Sequence, residues 1–520
     1  MSGPSGLSGS SGLSGRIDAA PSDVWHEEVL APQFEYELRH LLPHYLAIEK
    51  VLLLEYRRMG LLDGAECAAI AARLQGVTRH SIAADPMANT SDIAFAIERH
   101  VTDGLTGGSA DGPRDGPWQP PAAWHADRSR NDLQATAQLM FARELVLATV
   151  EALLVFDDAA ARLAAGTAEL PMPGNTHLQA AQVITPAFWL TALSAEVHRT
   201  LRRLTMSYHE LDAAPLGAGA MAGQELPWDR DRMAALLGFG SPQPHALVAV
   251  ASRGAVLSVA ADLSGLGVAL SRFCTDLMTW GSSEYRFVDL PDALSGISSA
   301  MPQKKNFPIL ERIRGRTAHL SSLHLDMAIG QRSTPYTNMV EVSKEAGAHL
   351  YGLFDTARSV LRLFTTVLDE LRFDADAMRA ACEREYLGGF TLANLLTLRA
   401  GVPWRLAQVI AGRYVVAAIE RDLPPAKPDG ALLATIAAEA GHRVDGGEAL
   451  LAGAFTVSGA LQAKRSAGST NPHAVAELLQ ACRREHAELA IWLQARRAVL
   501  QQAAENLDAE LGQLGPEDGV

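Results

Sequence analysis

The chain has 520 residues, 48% of them hydrophobic, with 59 acidic against 45 basic side chains and a net charge of −14. That length supports two to four domains around a large core, and the acidic balance disfavours a nucleic-acid or anionic-membrane partner while leaving room for a locally basic site. Four cysteines lie far apart with no CxxC pair, which excludes a disulfide framework or a cysteine zinc cluster and fits a reducing compartment.

Residues 1–15 form a Ser/Gly/Leu quasi-repeat that reads as a flexible tail, without the basic-then-apolar order of a signal peptide. An N-terminal helical domain is expected over 16–122, ending in a loose Gly/Pro-rich loop from Gly104 to Pro121. Beyond it, prolines divide the chain into long windows. None occurs between Pro121 and Pro171, Pro186 and Pro215, Pro244 and Pro291, Pro308 and Pro335, or Pro335 and Pro403. Apolar residues inside these windows recur at helical spacing. Leu139, Ala142, Val146, Val150 and Leu153 make one stripe, and Val256, Val259, Leu263, Leu266 and Leu270 another. No comparable series of alternating strand-like runs is present, so the fold class is all-α, with about five long helices in a central domain over 123–374. Helices of that length bury several faces, which suits a bundle completed by other subunits. Pro403 opens an amphipathic helix, and Ser469, Thr470 and Asn471 before Pro472 mark another helix start, giving a C-terminal helical domain over 375–520. No apolar run reads as long and uncharged enough to span a bilayer, so the expected location is cytoplasmic.

Three polar, turn-forming segments interrupt this pattern. HADRSRND, from His125 to Asp132, opens the first long helix; Arg128 and Arg130 offer forked donors where free backbone amides also favour an anion. A solvated helix start with Asp132 as a first-turn charge explains it equally well. MPGNTHLQ, from Met172 to Gln179, has a Pro-Gly turn that places Thr176 and His177 just before a helix. There Thr176 can bind a carboxylate and His177 can move a proton near neutral pH. SGISSAMPQKKN, from Ser295 to Asn306, sets serines, a glycine and a proline before paired lysines inside an apolar helical region. It reads as a mobile loop that delivers Ser and Lys to a site, or as an exposed basic turn.

SSAMPQKKN resembles the signature loop of the aspartase/fumarase superfamily, and its QKKN form is similar to the argininosuccinate lyase family. HADRSRND resembles that family's HTGRSRND, MPGNTHLQAAQ its MPGYTHLQ-x-AQ, and PLGAGAMAG, from Pro215, its PLGSGALAG. The matches run in the family's order over roughly residues 30–500. The resemblance implies a three-domain, mostly α fold whose long helices form a 20-helix tetramer core, each active site drawn from three subunits of a homotetramer. It implies a carbon–nitrogen lyase that eliminates an amine from an N-substituted aspartate to give fumarate, with a small anionic substrate and no metal or organic cofactor. By position, the catalytic base falls on Ser298, and Lys304 and Asn306 fall where the reacting carboxylate is held. Arg130, Asn131 and Thr176 match carboxylate-binding positions, and Arg253 matches a family arginine. His177 pairs with Glu311 as a proton-transfer candidate. Tyr336 and Lys344 match further substrate contacts, with Glu341 in the same block.

The departures from the family pattern collect on one half of the substrate. The EDIH segment reads Ser91-Asp92-Ile93-Ala94, Asn175 replaces a Tyr, and Ile297 replaces the glycine before the signature serines. Phe307 and Pro308 follow Asn306 where Pro-Asp is usual, and Met339, Val342 and Ser343 replace three acids, with Glu341 in place of a Gln. Groups expected to grip the succinyl half persist, whereas groups expected to recognise a guanidinium are altered. Elimination from another N-substituted aspartate and argininosuccinate lyase activity itself both fit. A catalytically silent, crystallin-like structural relative predicts damage to the Ser298, Lys304 and Asn306 set, which is intact. An adenylosuccinate-type lyase is disfavoured by the QKKN, RSRND and MPG-x-THLQ forms.

Overall fold

Prolines mark the ends of the long segments, and the computed structural model, which describes residues 19–106 and 121–514, shows what each proline-free window becomes. The Ser/Gly tail at 1–15 and residues 107–120 of the Gly/Pro stretch lie outside the described residues. The N-terminal part supplies α1 (Ala31–His40), α2 (Leu42–Arg58) and α3 (Ile93–Thr106). Five long helices follow: α4 (Arg130–Ala165), α5 (Pro186–Leu211), α6 (Gly254–Trp280), α7 (Pro308–Gln331) and α8 (Leu350–Glu370). One occupies each proline-free window, because a proline inside a helix removes a backbone donor and clashes with the preceding turn.

The five helices run alternately up and down. Trp189 at the start of α5 meets Trp280 at the end of α6 with ring centroids 5.0 Å apart, and Cys274 late in α6 donates to the Leu310 carbonyl early in α7. Arg162 near the end of α4 donates to Asp369 near the end of α8 at 2.9 Å. These contacts mark one end of the bundle. At the other end, Arg253 just before α6 donates to Gln138 early in α4 at 3.2 Å, and Gln138 donates to the Ser343 carbonyl just ahead of α8 at 2.6 Å. At 1.5 Å per residue, the 36 residues of α4 separate the two ends by about 50 Å.

The seam is built from the predicted stripes: Val146, Val150 and Leu153 of α4 and Leu263, Leu266 and Leu270 of α6 are all at most 1% exposed. Truncating any one of the leucines to Ala would cost roughly 2–5 kcal/mol. Helix α6 is, contrary to the sequence reading, long and apolar enough by length and composition to cross a membrane. Its Ala, Gly and Leu content serves helix packing instead, since it lies against α5 and α7 in the main core.

The segment 172–184 also departs from expectation. It forms an antiparallel hairpin, Met172–Thr176 against Gln179–Ile184, rather than a turn leading directly into a helix. His177 and Leu178 take consecutive left-handed conformations (φ 54° and 62°) between the paired Thr176 and Gln179, the two-residue turn that matches strand twist. Gly174 permits the close strand approach, for a Cβ there would stand 2.7 Å from Ile184 Cγ2. The helix begins only at Pro186, where the Thr185 hydroxyl accepts from Phe188 N at 3.1 Å.

A second, separate core gathers Leu392, Leu396, Leu433, Leu451 and Phe455 with Ile410 and Tyr414 of α9 (Trp404–Glu420). The last helix, α10 (Pro472–Gly512), returns to the main core through Val475, Leu489, Leu493, Leu507 and Leu511.

Candidate active site

At the α4 start, Ser129 caps the helix by accepting from Asn131 N at 3.1 Å, so Arg130 and Asn131 stand in its first turn. Arg130 is half exposed; its guanidinium donates to Asp92 at 2.9 Å and lies 4.7 Å above the Phe95 ring. Asp92 is the acid that survives in the altered EDIH segment. Arg128 is not free for a substrate, because it is bonded to Glu49 and, at 2.8 Å, to Glu98, with His125 bridging the same two acids. Burial pushes the Glu49 carboxyl up, but Arg128 and His125 more than offset it and hold it down at about 2.

Asp132 is a buried organiser rather than a solvated first-turn charge. Its Oδ2 accepts from Gly217 N at 3.0 Å and Gly219 N at 2.9 Å, folding the 215–223 loop against the helix start. Gly219 has φ +63°, and a Cβ on it would stand 2.5 Å from the Gly223 carbonyl, so this loop depends on glycine. Asn131 donates to Ala220 O of the same loop at 3.0 Å. Burial raises the Asp132 carboxyl to about 7 despite those amide bonds.

Lys344, just before α8, is bonded to Glu37 of α1, a carboxylate only 2% exposed that sequence reading passes over. Burial raises the Glu37 carboxyl, with Lys344 opposing. The sequence signal available is a glutamate in a helical stripe with Phe34 and Leu38, where an apolar residue is the rule. Beside the pair lies a cavity of about 310 Å³ lined by Tyr36, Glu37, Gln138, Ser343, Lys344 and Gly347. Arg253 is buried, bonded to Gln138 and to the Val250 and Ser252 carbonyls, with one guanidinium nitrogen unpartnered among the described residues; burial lowers it to about 10. Tyr336 and Glu341 are exposed in the segment after α7, at this same end.

The remaining predicted residues lie at the opposite end. Thr176 and His177 stand exposed at the hairpin tip. The signature segment is a second hairpin, Gly296–Ile297 paired with Lys305–Asn306, that projects so far that Ile297 is 94% exposed. The Ser298 hydroxyl accepts from Met301 N at 3.1 Å, which shapes the loop tip, and Asn306 donates to the Gly296 carbonyl at 3.4 Å across its base. Lys305 is spent on Asp289 at 3.0 Å, whereas Lys304 is exposed on the rim of an open cleft with Arg286, Gln303 and Arg372. Glu311 is exposed in the first turn of α7, and within the chain no hydrogen bond or ion pair joins it to His177 among the described residues.

One chain therefore brings Arg130, Asn131, Arg253 and Lys344 to one end of the bundle and Ser298, Lys304, Asn306, Glu311, Thr176 and His177 to the other. The stretch of α7 from Glu311 to Gln331 alone puts about 30 Å between Glu311 and the Tyr336–Lys344 segment.

A lyase family profile matches residues 65–320. The chain is 36% identical over 304 residues to an argininosuccinate lyase of an Exiguobacterium species, covering 58% of this chain and 64% of that one. It is 33% identical over 360 residues to an argininosuccinate lyase of Geobacillus kaustophilus, covering 67% and 73%. The match thus spans slightly under two thirds of the first of these relatives. Among solved structures, an EDDS lyase variant with bound fumarate has a similar fold, with TM-score 0.80, 24% identity, and 95% of this chain and 96% of that one covered.

Proposed function

The chain belongs to the aspartase/fumarase superfamily, in its argininosuccinate lyase-like branch, and from that premise we propose that it cleaves a carbon–nitrogen bond, eliminating an amine from an N-substituted aspartate to give fumarate. The observation that carries the reading is the projecting 295–306 hairpin, which holds the Ser298 hydroxyl and the Lys304 ammonium on one exposed loop. In the reaction, Ser298 removes the Cβ proton beside a carboxylate. The resulting doubly charged aci-carboxylate is stabilised by Lys304, Asn306 and backbone N–H groups of the loop, placed where the charge develops. Serine is a poor base in water, and closing the loop over a nearby ammonium makes it competent. Arg130, Asn131, Thr176, Arg253, Tyr336 and Lys344 orient the substrate, and His177 with Glu311 passes a proton to the departing amine.

These groups meet only if copies of the chain pack with opposite ends together, as in the shared-site homotetramer that the family resemblance implies. The amine half is a different matter. The acids at 339, 342 and 343 are replaced, yet the cavity beside Lys344 carries Glu37. Arginine thus stays one member of the amine panel rather than the assigned partner.

The test runs the reaction in reverse. The full chain is mixed with fumarate and arginine, diamines or amino acids, and the products are read by mass spectrometry. An N-substituted aspartate formed from one amine is the expected result, and failure of every amine to add would overturn the reading.

A further inference from the structure

Away from both ends of the bundle, three helices converge on one buried carboxylate. Asp157 of α4 accepts at Oδ2 from His198 Nε2 of α5 at 2.9 Å and from His486 Nδ1 of α10 at 2.8 Å. Asp157 and His198 are 2% and 1% exposed, while the His486 side chain is partly open. The second carboxylate oxygen, Asp157 Oδ1, is buried without a close hydrogen-bond partner among the described residues, with Ser194 near the same carboxylate. The outer nitrogen of His198, Nδ1, lies 3.4 Å from Glu485 Oε2, and Glu485 is itself held by Arg202. Cys482, one turn before His486 on α10, also reaches His198.

We infer that Asp157, His198 and His486 form a binding site for a divalent transition-metal ion of the zinc type, which clips the last helix to the bundle. Two imidazoles and a carboxylate are a donor set that suits such an ion, with a fourth position left for water. The three donor atoms all lie within 4.8 Å of one another. Ligands at about 2.0–2.2 Å from a tetrahedral ion stand somewhat over 3 Å apart, so the present 2.8 and 2.9 Å contacts need to open by only about half an ångström. Glu485 on the outer nitrogen of His198 is the arrangement that fixes the tautomer of a metal-binding histidine. An ion bound at Oδ2 also compensates the charge of the buried Asp157 carboxylate.

On binding, the protons that His198 Nε2 and His486 Nδ1 now direct at Asp157 leave those nitrogens, and His198 keeps Nδ1–H toward Glu485. The sequence reading expects no metal in the reaction, and this ion lies outside it: none of these residues belongs to the elimination site proposed above.

The test uses the full chain, stripped with a chelator and titrated with zinc against a chromophoric competitor. One ion per chain is expected, with a zinc-dependent rise in melting temperature. His486→Ala, at a partly exposed position that keeps the fold, is expected to lose about 100-fold in affinity, and Glu485→Gln about 10-fold. Cobalt(II) in place of zinc is expected to give visible absorption bands in the native chain that His486→Ala lacks. No uptake of zinc by the native chain would overturn the inference. So would unchanged zinc affinity and an unchanged cobalt spectrum in a His486→Ala chain shown to be folded by circular dichroism.

Discussion

Lys344 closes an ion pair on Glu37, joining the segment ahead of α8 to helix α1 across 307 positions of sequence. The acid is buried and the ammonium only 17% exposed, so neither group is easily spared. Lys344→Met strands a buried carboxylate and is expected to cost about 3 kcal/mol of stability. Adding Glu37→Gln to that variant removes the stranded charge and is expected to restore most of the stability but none of the turnover. Denaturant midpoints and fumarate release read the two effects separately. Turnover returning together with stability would show that Lys344 matters only through the fold.

Ser298→Ala is expected to abolish turnover with the melting temperature nearly unchanged. The substitution removes the hydrogen bond from Met301 N on an exposed loop, worth about 1 kcal/mol or less. Ultraviolet absorbance of fumarate gives the rate, and near-native elimination by this variant would remove Ser298 from the role of base.

Lys304→Met should lose on the order of 3 kcal/mol of transition-state stabilisation, seen as a fall in kcat of about 100-fold or more. Steady-state kinetics decide between roles: a raised KM with unchanged kcat would assign Lys304 to binding alone.

Because Ser298 and Lys344 stand at opposite ends of the same chain, a site that uses both must draw them from different copies. Co-refolding the inactive Ser298→Ala and Lys344→Met chains is expected to recover a measurable part of the activity, since some sites then receive both native residues. Mixtures as inactive as their parents would count against shared sites.

Asp132 predicts a pH effect with a definite sign. Its carboxyl is raised from an ordinary 3.8 to about 7 by burial, so the folded chain holds a proton that the unfolded chain releases between those values. The stabilisation it provides is fully present below about pH 4, declines as pH rises toward 7 and is lost above. Asp132→Asn does not titrate, and its stability relative to the native chain is expected to improve from pH 5 to pH 8. A pH-independent gap between the two, measured by chemical denaturation, would contradict the raised carboxyl.

Much of the fold is legible because its causes are local. Proline spacing marks all five long helices, since the ring acts on the turn immediately before it. Ser129, Thr185 and Asn471 announce helix starts through side chains that bond amides two or three residues on. The hairpin at 172–184 escapes the sequence reading because its cue, a pair of left-handed residues, falls on His177 and Leu178 rather than on Gly or Asn, the residues that favour that conformation.

The sequence by itself therefore determined the five long helices of the bundle and the chemical kinds of the proposed site residues, through proline spacing and motifs each confined to about a dozen positions. Only the tertiary structure decided which of those residues share an end of the bundle, that Arg128 is spent on Glu49 and Glu98, and that Glu37 holds Lys344. It also brought Asp157, His198 and His486 together from three helices. Such pairings depend on how rods of about 30–50 Å pack side by side, and no local preference in the chain encodes that.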